Sequence, residues 1–405
     1  RIKDKKKDLH PSIDFSNLHE YFREATWDEA LDYAAKGFLE IKKKRNGKSN
    51  LAGFGSAKCS NEEAYLFQKL IRTGFNTNNV DHCTRLCHAS SVAALLETIG
   101  SGAVTAPFYE VEHSEVIIVI GANPTENHPV AATFFKNAAK KGSKLIVMDP
   151  RGHALKKHAT HMLQFKPGSD VALLNSIMHV IIEDDLFNDE YIKKQTSGFD
   201  DLRRHLKNYP PEIMEEQTGI DANLIREVAH LYAKTSKGII FWGMGVSQHV
   251  HGTDNARCLI SLALMTGNVG RRGSGLHPLR GQNNVQGASD AGLIPMMYPD
   301  YQLVEKDDKQ NFFEKFWNTP LDNKKGLTVV EIMDAIHENT IKGMYILGEN
   351  PAMSDPDLNH AREALQMLEH LVVQDIFLTE TATYADVIFP ASAWPEKNGT
   401  ATNTN

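Results

Sequence analysis

Two stretches of the chain are built alike, and that pairing restricts the fold more than any bulk property does. VIIVIGANP (residues 116–124) and MYILGENP (344–351) each carry an apolar strand into Gly-x-Asn-Pro. Each is followed, 28 and 27 residues beyond its glycine, by an acid closing another apolar strand: Asp149 in KLIVMD and Asp375 in HLVVQD. Short apolar runs without polar alternation suit strands covered on both faces, as in a parallel sheet flanked by helices. In such sheets ligands sit beyond the carboxyl ends of the strands. A glycine there lets the backbone approach a phosphate, and an acid at the next strand end can hold a ribose or a guanine edge. The pair therefore predicts two nucleotide-bearing groups bound in related ways; the alternative is two well-made turns. Neither unit carries the G-x-G-x-x-G fingerprint, and no G-x-x-x-x-G-K-[ST] occurs, which argues against an ordinary nicotinamide site or a P-loop.

The remaining chain follows the same alternation. GIIFWGMG (238–245) and DVIFPA (386–391) read as further buried strands. WDEALDYAAKGFLEIKKK, NEEAYLFQKLIRTG, SSVAALLETIG, DVALLNSIMHVIIEDD and DANLIREVAHLYAKT read as helices, several opening on Asp, Ser or Asn in a capping position. Strands alternating with helices predict an α/β fold with mainly parallel sheets. Residues 305–325 are polar and aperiodic and read as a surface insertion.

A length of 405 residues suggests two or three domains. The net charge of -7 is small for that size and gives no reason to expect nucleic acid or an anionic membrane as partner. No apolar run approaches the roughly 20 residues needed to span a bilayer. The basic opening RIKDKKKD has no apolar stretch behind it and is not a secretory signal. Four cysteines (Cys59, Cys83, Cys87, Cys258) argue against a disulfide scaffold and for a reducing, cytoplasmic setting. The start in mid-charge-run without Met, and the close on GTATNTN, suggest a central piece of a longer polypeptide.

The densest group of reactive side chains is DHCTRLCHASS (81–91), with His82, Cys83, Cys87 and His88 around Arg85. An adjacent arginine and imidazole favour a thiolate. Ser90 or Ser91 is expected to cap the following helix, whose N-terminus favours negative charge on sulfur. Three readings stand: a zinc site using Cys83, Cys87 and a histidine; a cysteine nucleophile with His88; or buried cysteines and satisfied histidines. A second group, HPLRGQNNVQGASDAG (277–292), sets Arg280 among amides and glycines, where a planar guanidinium suits a small carboxylate; a structural arginine in a glycine-rich loop is the plainer alternative. In a third, FWGMGVSQHVHGTDNAR, a strand ends in Gly243-Met244-Gly245.

CTRLCHASS, GANPTENHP, VMDPRG, WGMGVSQ, LRGQNNVQGASDAG, LGENP, VVQDIFLTETA and DVIFPASAWPEKNGTATNTN occur in one order. As a set they resemble the large subunits of molybdopterin-dependent formate dehydrogenases, within the dimethyl-sulfoxide-reductase-like superfamily, from about Glu24 to Asn405. Cys-His followed much later by Arg-Gly-Gln-Asn-Asn is the part that singles out formate dehydrogenases. The resemblance implies that Cys87 coordinates molybdenum or tungsten, that His88 accepts a proton beside the metal, and that Arg280 orients formate. Formate oxidation then removes the C–H hydrogen with two electrons to the metal centre, giving carbon dioxide reversibly. It further implies a bis-molybdopterin guanine dinucleotide cofactor contacted by Gly121, Asn123, Asp149, Arg151, Gly168, Asp170, Gly243, Met244, Gly245, Gln248, Gly281, Gln282, Gly348, Asn350, Gln374, Asp375 and Thr379. Electrons would pass to iron–sulfur and flavin partners and ultimately NAD.

The family also carries an N-terminal iron–sulfur domain and a C-terminal domain over the pterins, both expected outside these residues; none of the four cysteines has cluster spacing. The implied architecture is two interleaved doubly wound (Rossmann-like) domains. One spans residues 83–282; the other joins 1–82 to 283–405; each binds one pterin guanine dinucleotide, with the metal in the cleft between them. A nitrate reductase of the same superfamily shares a cysteine-ligated metal, but His88 and the Arg-Gly-Gln-Asn-Asn run argue against it. A non-catalytic scaffold, like the large iron–sulfur subunit of respiratory complex I, would have lost Cys87, His88 and Arg280. A folded fragment without cofactor is the remaining reading.

Overall fold

The computed structural model describes residues 1, 12–44 and 50–403. Most of the basic opening run and the last two residues of GTATNTN lie outside the described residues. The strands are β1 Leu51–Gly55, β2 Val80–His82, β3 Val116–Ile120, β4 Lys144–Met148, β5 His161–Leu163, β6 Gly238–Trp242, β7 Gly275–Pro278, β8 Met297–Tyr298, β9 Gln302–Leu303, β10 Gly343–Leu347, β11 His370–Asp375 and β12 Val387–Pro390. The chain divides into two compact units: Arg1–Leu86 with Gln282–Asn403, and Cys87–Gly281. The changeovers fall four residues after residue 83 and one before residue 282, so Cys83 and Gln282 belong to the discontinuous unit, while Cys87, His88, Arg280 and Gly281 share the continuous one.

The continuous unit holds a five-stranded sheet of order β5-β4-β3-β6-β7, parallel throughout. Its central strand shows why the apolar run lacks alternation. Val116, Ile118 and Ile120 pack with the helices Asp170–Glu183, Ala222–Ala233 and Gly252–Met265 on one face. Ile117 and Val119 pack with Phe108, Phe135 and Phe241 on the other. Both faces being covered, every residue of β3 is buried.

The discontinuous unit holds a second parallel sheet, β12-β11-β10-β1-β2. Here β10 to β12 run outward in one direction, and β1 and β2, from the start of the chain, run outward in the other. The segment before Leu86 thus supplies the half-sheet that the segment after Gln282 lacks. Each sheet has one switch point where the winding reverses, β3 against β6 and β10 against β1, and such points are where doubly wound sheets bind ligands.

Two sequence expectations need correction. GIIFWGMG does not remain a strand to residue 245: β6 ends at Trp242 and a short helix, Met244–Ser247, follows. Residues 305–325 are not a bare insertion either. They include the helix Asp307–Trp317, whose Phe313 and Trp317 lie one turn apart and pack with Tyr298, Val304 and Leu321. The polar residues around that aromatic pair masked its periodicity.

Candidate cofactor and substrate site

At the switch point of the continuous unit the backbone turns on glycines. Gly121 adopts φ +58°, donates its N–H to Met148 O (3.0 Å) and accepts from Gly245 N (3.0 Å). Gly243 N donates to Ile120 O at 3.1 Å. A Cβ on Gly121 would stand 2.7 Å from Val246 N, and one on Gly243 2.6 Å from Gly121 O. The carboxyl ends of β3 and β6 therefore interlock through Gly121, Gly243 and Gly245, with Met244 and Gln248 opening and closing the short helix above them. Asn123 caps the turn Pro124–Asn127, its Oδ1 accepting from the Thr125 hydroxyl (2.6 Å).

Beyond β4, Asp149 is buried and accepts from Arg151 N at 2.8 Å. After a turn at Gly168 (φ +83°), buried Asp170 opens the helix Asp170–Glu183. Burial raises the Asp170 carboxyl pKa; His249 opposes that rise and Asp149 adds to it, so the two acids lie within electrostatic reach. His153 stands beside Asp149, its pKa lowered first by burial and opposed by that carboxylate. Its two ring nitrogens are buried without a hydrogen-bond partner among the described residues. Acids with an unsatisfied imidazole at a strand end fit a polar nucleotide edge.

The discontinuous unit repeats the turn. Gly348 has φ +68° and donates to Gln374 O at 2.9 Å, and a Cβ there would stand 3.2 Å from Ser56 Cβ. Several residues expected to face a cofactor are engaged within the protein. Asn350 donates to Glu380 Oε2 (2.7 Å) and accepts from the Thr381 N–H (3.0 Å) and hydroxyl (2.8 Å). Gln374 Oε1 accepts from the Tyr345 hydroxyl (2.7 Å), Thr379 Oγ1 from Ala382 N (3.2 Å), and Gln282 Oε1 from the Cys83 thiol (2.8 Å). Asp375 Oδ1 accepts from Ile376 N at 2.7 Å, and burial raises its pKa. Glu349, buried and raised first by burial, accepts from the Ser56 hydroxyl at 2.6 Å. Asp355 is pushed up to about 7, by burial first and then by Glu349.

Cys87 closes a four-residue helix, Thr84–Cys87, and His88 is the N-cap of the helix Ala89–Ile99. The expected serine cap is absent. Ser90 Oγ instead donates to Ser247 O (2.8 Å), and Ser91 Oγ meets His88 Nδ1 at 3.2 Å. The expected source of positive charge is also different. Arg85 is paired with Asp81 at 2.9 Å, and fully buried His88 is pushed down to about 4, by burial first and then by Arg280. Burial pushes the Cys87 thiol up to about 11, while the Gly281 N–H and the Arg280 charge pull the other way. Arg280 is 7% exposed and donates to Gly102 O at 2.6 Å. Cys87, His88, Arg280 and Gly281 are thus brought together in one unit.

His88 is held as one tautomer. A carbonyl only accepts, so the 3.1 Å contact to Leu279 O puts the proton on Nε2. Nδ1 then accepts from the Ser91 hydroxyl, whose oxygen accepts from Trp242 Nε1 at 2.8 Å. Sequence reasoning passed over Trp242, His153, Ser56 and Glu349, and named Ser91 only as a cap, not as the partner of His88. It also passed over His128, inside the quoted GANPTENHP, whose Nε2 meets Arg280 O at 2.8 Å. Only its place in that motif could have pointed to it.

The molybdopterin oxidoreductase family model matches residues 10–405. The chain is 45% identical over 383 residues to the F420-dependent formate dehydrogenase subunit alpha of Methanocaldococcus jannaschii, covering 95% of this chain and 56% of that protein. It is 40% identical over 379 residues to formate dehydrogenase H of Escherichia coli, covering 93% and 53%. Acetylene hydratase from Pelobacter acetylenicus shares the fold with a TM-score of 0.73 at 22% identity, covering 93% of this chain and 53% of that one. The chain spans about half the length of these relatives. On the match across residues 10–405, and on relatives of 40% and 45% identity, the chain belongs to the molybdopterin oxidoreductase family.

Proposed function

We propose that the chain is the cofactor-binding core of a formate dehydrogenase that oxidises formate to carbon dioxide, with Cys87 as the protein ligand to molybdenum or tungsten. The observation that carries this reading is that Cys87 and His88 lie against the segment of the buried Arg280, with His88 Nε2 on Leu279 O at 3.1 Å and the Arg280 charge acting on the Cys87 thiol. Among the described residues no three His, Cys, Asp or Glu side chains gather as a metal-binding group, so a metal here needs further donors from a cofactor. The bis-pterin centre supplies those donors and a two-electron acceptor when bound.

The chain's own residues do the rest. Ligation requires a thiolate, so Cys87 gives up its proton when the metal is loaded. Arg280 presents a rigid fork that matches a carboxylate, and its burial makes the attraction stronger than it would be in water. It aims formate while offsetting its charge. His88 keeps its Nε2 proton on Leu279 O and can take another at Nδ1 only if the Ser91 hydroxyl turns. Each unit would hold one pterin guanine dinucleotide, with Gly121, Asp149, Arg151 and Asp170 serving one and Gly348 and Asp375 the other. The two electrons would pass to iron–sulfur partners and, through flavin partners, ultimately to NAD. Among the described residues no helix is long and apolar enough to cross a membrane.

The test uses the full-length protein. Molybdenum and tungsten are determined, and formate-dependent dye reduction is followed in the wild type and in Cys87→Ala. Turnover should vanish in the variant. Turnover that survives contradicts the assignment of Cys87, and nitrate turnover in place of formate oxidation favours a nitrate reductase.

A further inference from the structure

We propose that His128 is a positioning residue for Arg280, joining the Gly-Ala-Asn-Pro loop after β3 to the arginine that orients formate; the inference rests on that role of Arg280. The backbone carbonyls of Leu279 and Arg280 are each held by a histidine. His88 Nε2–H donates to Leu279 O at 3.1 Å. His128 Nε2–H donates to Arg280 O at 2.8 Å. The Gly281 N–H lies close enough to the Cys87 thiol to favour its thiolate. Leu279 N also donates to Trp242 O at 2.7 Å, tying the segment to the end of β6.

His128 is itself set on a firm base. Its N–H donates to Pro124 O (3.0 Å), closing the turn Pro124–Asn127, and its carbonyl accepts from Ala132 N (2.8 Å), opening the helix Pro129–Lys140. The proline that follows removes the α conformation from its choices, and it sits at φ -138°, ψ 60°. A turn of this kind needs no particular side chain. The imidazole adds a bond across 152 residues of sequence to the carbonyl of the one arginine assigned to substrate. Its other nitrogen, Nδ1, is buried without a hydrogen-bond partner among the described residues. A half-buried imidazole whose enclosed Nδ1 has no partner among the described residues is poorly explained by packing alone. The same loop carries Gly121 and Asn123 seven and five residues earlier, so the strand end proposed to hold a nucleotide and the substrate arginine are coupled through one ring.

The experiment compares full-length holoenzyme carrying His128→Phe, which keeps a ring but lacks the donor, with His128→Gln, which keeps an N–H. One neutral hydrogen bond is worth about fivefold in binding. His128→Phe should raise the formate KM about fivefold with a smaller change in kcat, and should speed amide exchange in peptides spanning residues 279–284. His128→Gln should recover much of both. If His128→Phe does not accumulate, His128→Asn, with its shorter reach, replaces it. Arg280→Gln is run alongside. If Arg280→Gln weakens formate saturation while His128→Phe changes neither KM nor exchange, the role of His128 is overturned and that of Arg280 stands. If His128→Phe lowers kcat and metal content together without a selective rise in KM, its role is merely structural and the proposal fails. If Arg280→Gln saturates with formate as the wild type does, both assignments fall.

Discussion

Replacing Gly121 by Ala should be among the most damaging single-methyl additions in the continuous unit. Two costs add. An L-residue at φ +58° costs about 1 kcal/mol against glycine. The new Cβ would also stand 2.7 Å from Val246 N and 2.8 Å from Gly245 C. Both are backbone atoms of the short helix Met244–Ser247 after β6 and cannot swing aside as a flexible side chain would. Overpacking of that kind costs about 1–3 kcal/mol, so the total is about 3 kcal/mol. For a unit of this size 1 kcal/mol moves the midpoint by about 2–4 °C, which places the fall near 10 °C. Gly100→Ala is the matched comparison. It has φ +74° in the same unit, and its Cβ would meet nothing within 4 Å, so only the first cost applies and the fall should be about 3 °C. Differential scanning calorimetry of the full-length variants reads both. Falls of equal size would show that the β3–β6 junction is looser than its geometry, and would refute the close-packed account of Gly121.

The other expectations are as specific. His277 is buried against Phe108 and Phe241, donates Nδ1–H to Ala106 O (2.9 Å), and is pushed down to about 4, by burial first. Its unfolded counterpart takes a proton near pH 6.5, so its neutral-state contribution is complete above 6.5 and is lost as pH falls from there to 4. That amounts to about 2 kcal/mol between pH 7 and pH 5; denaturant midpoints should show a smaller acid loss in His277→Leu, and an identical loss would contradict it. Arg72 is fully buried, lowered to about 10 by burial, and bonded to Gln68 Oε1 (2.8 Å) and the carbonyls of Gly292 (3.0 Å), Ile294 (2.7 Å) and Met297 (2.7 Å). Arg72→Met orphans those acceptors and should cost at least ~3 kcal/mol by chemical denaturation; a loss below ~1 kcal/mol would contradict their dependence on the guanidinium. Gly281→Ala meets nothing within 4 Å and should leave the midpoint within about 1 °C, so any loss of metal content on that change reports on the site and not on stability.

The two Gly-x-Asn-Pro units were legible because a parallel sheet writes its buried strands as unbroken apolar runs, and the structure carries each into a left-handed glycine beyond β3 and β10. Short strands were not legible. β2, β5 and β7 have three or four residues, too few to show a period, and β1 contains two glycines. Gly53 is there because Ile71 fills its side-chain space, with a Cβ reaching within 2.6 Å of Cγ1, a fact that depends on a helix elsewhere in the chain. At the site, Cys87, His88 and Arg280 could be picked out by residue type and motif. What surrounds them could not. Arg85 looked like the partner of Cys87 by adjacency, yet a carboxylate four residues back claims it. The contacts made by Ser91, Trp242 and His128 span 3, 151 and 152 residues, and nothing in local spacing encodes the two long ones.

The central claim is that the Cys87 sulfur binds the metal. X-ray absorption at the molybdenum or tungsten edge, on oxidised full-length protein and on Cys87→Ser, tests it most directly. Loss of one sulfur from the metal's first shell, with the pterin sulfurs retained, is the expected result. An unchanged sulfur shell in a metal-loaded Cys87→Ser protein would contradict it.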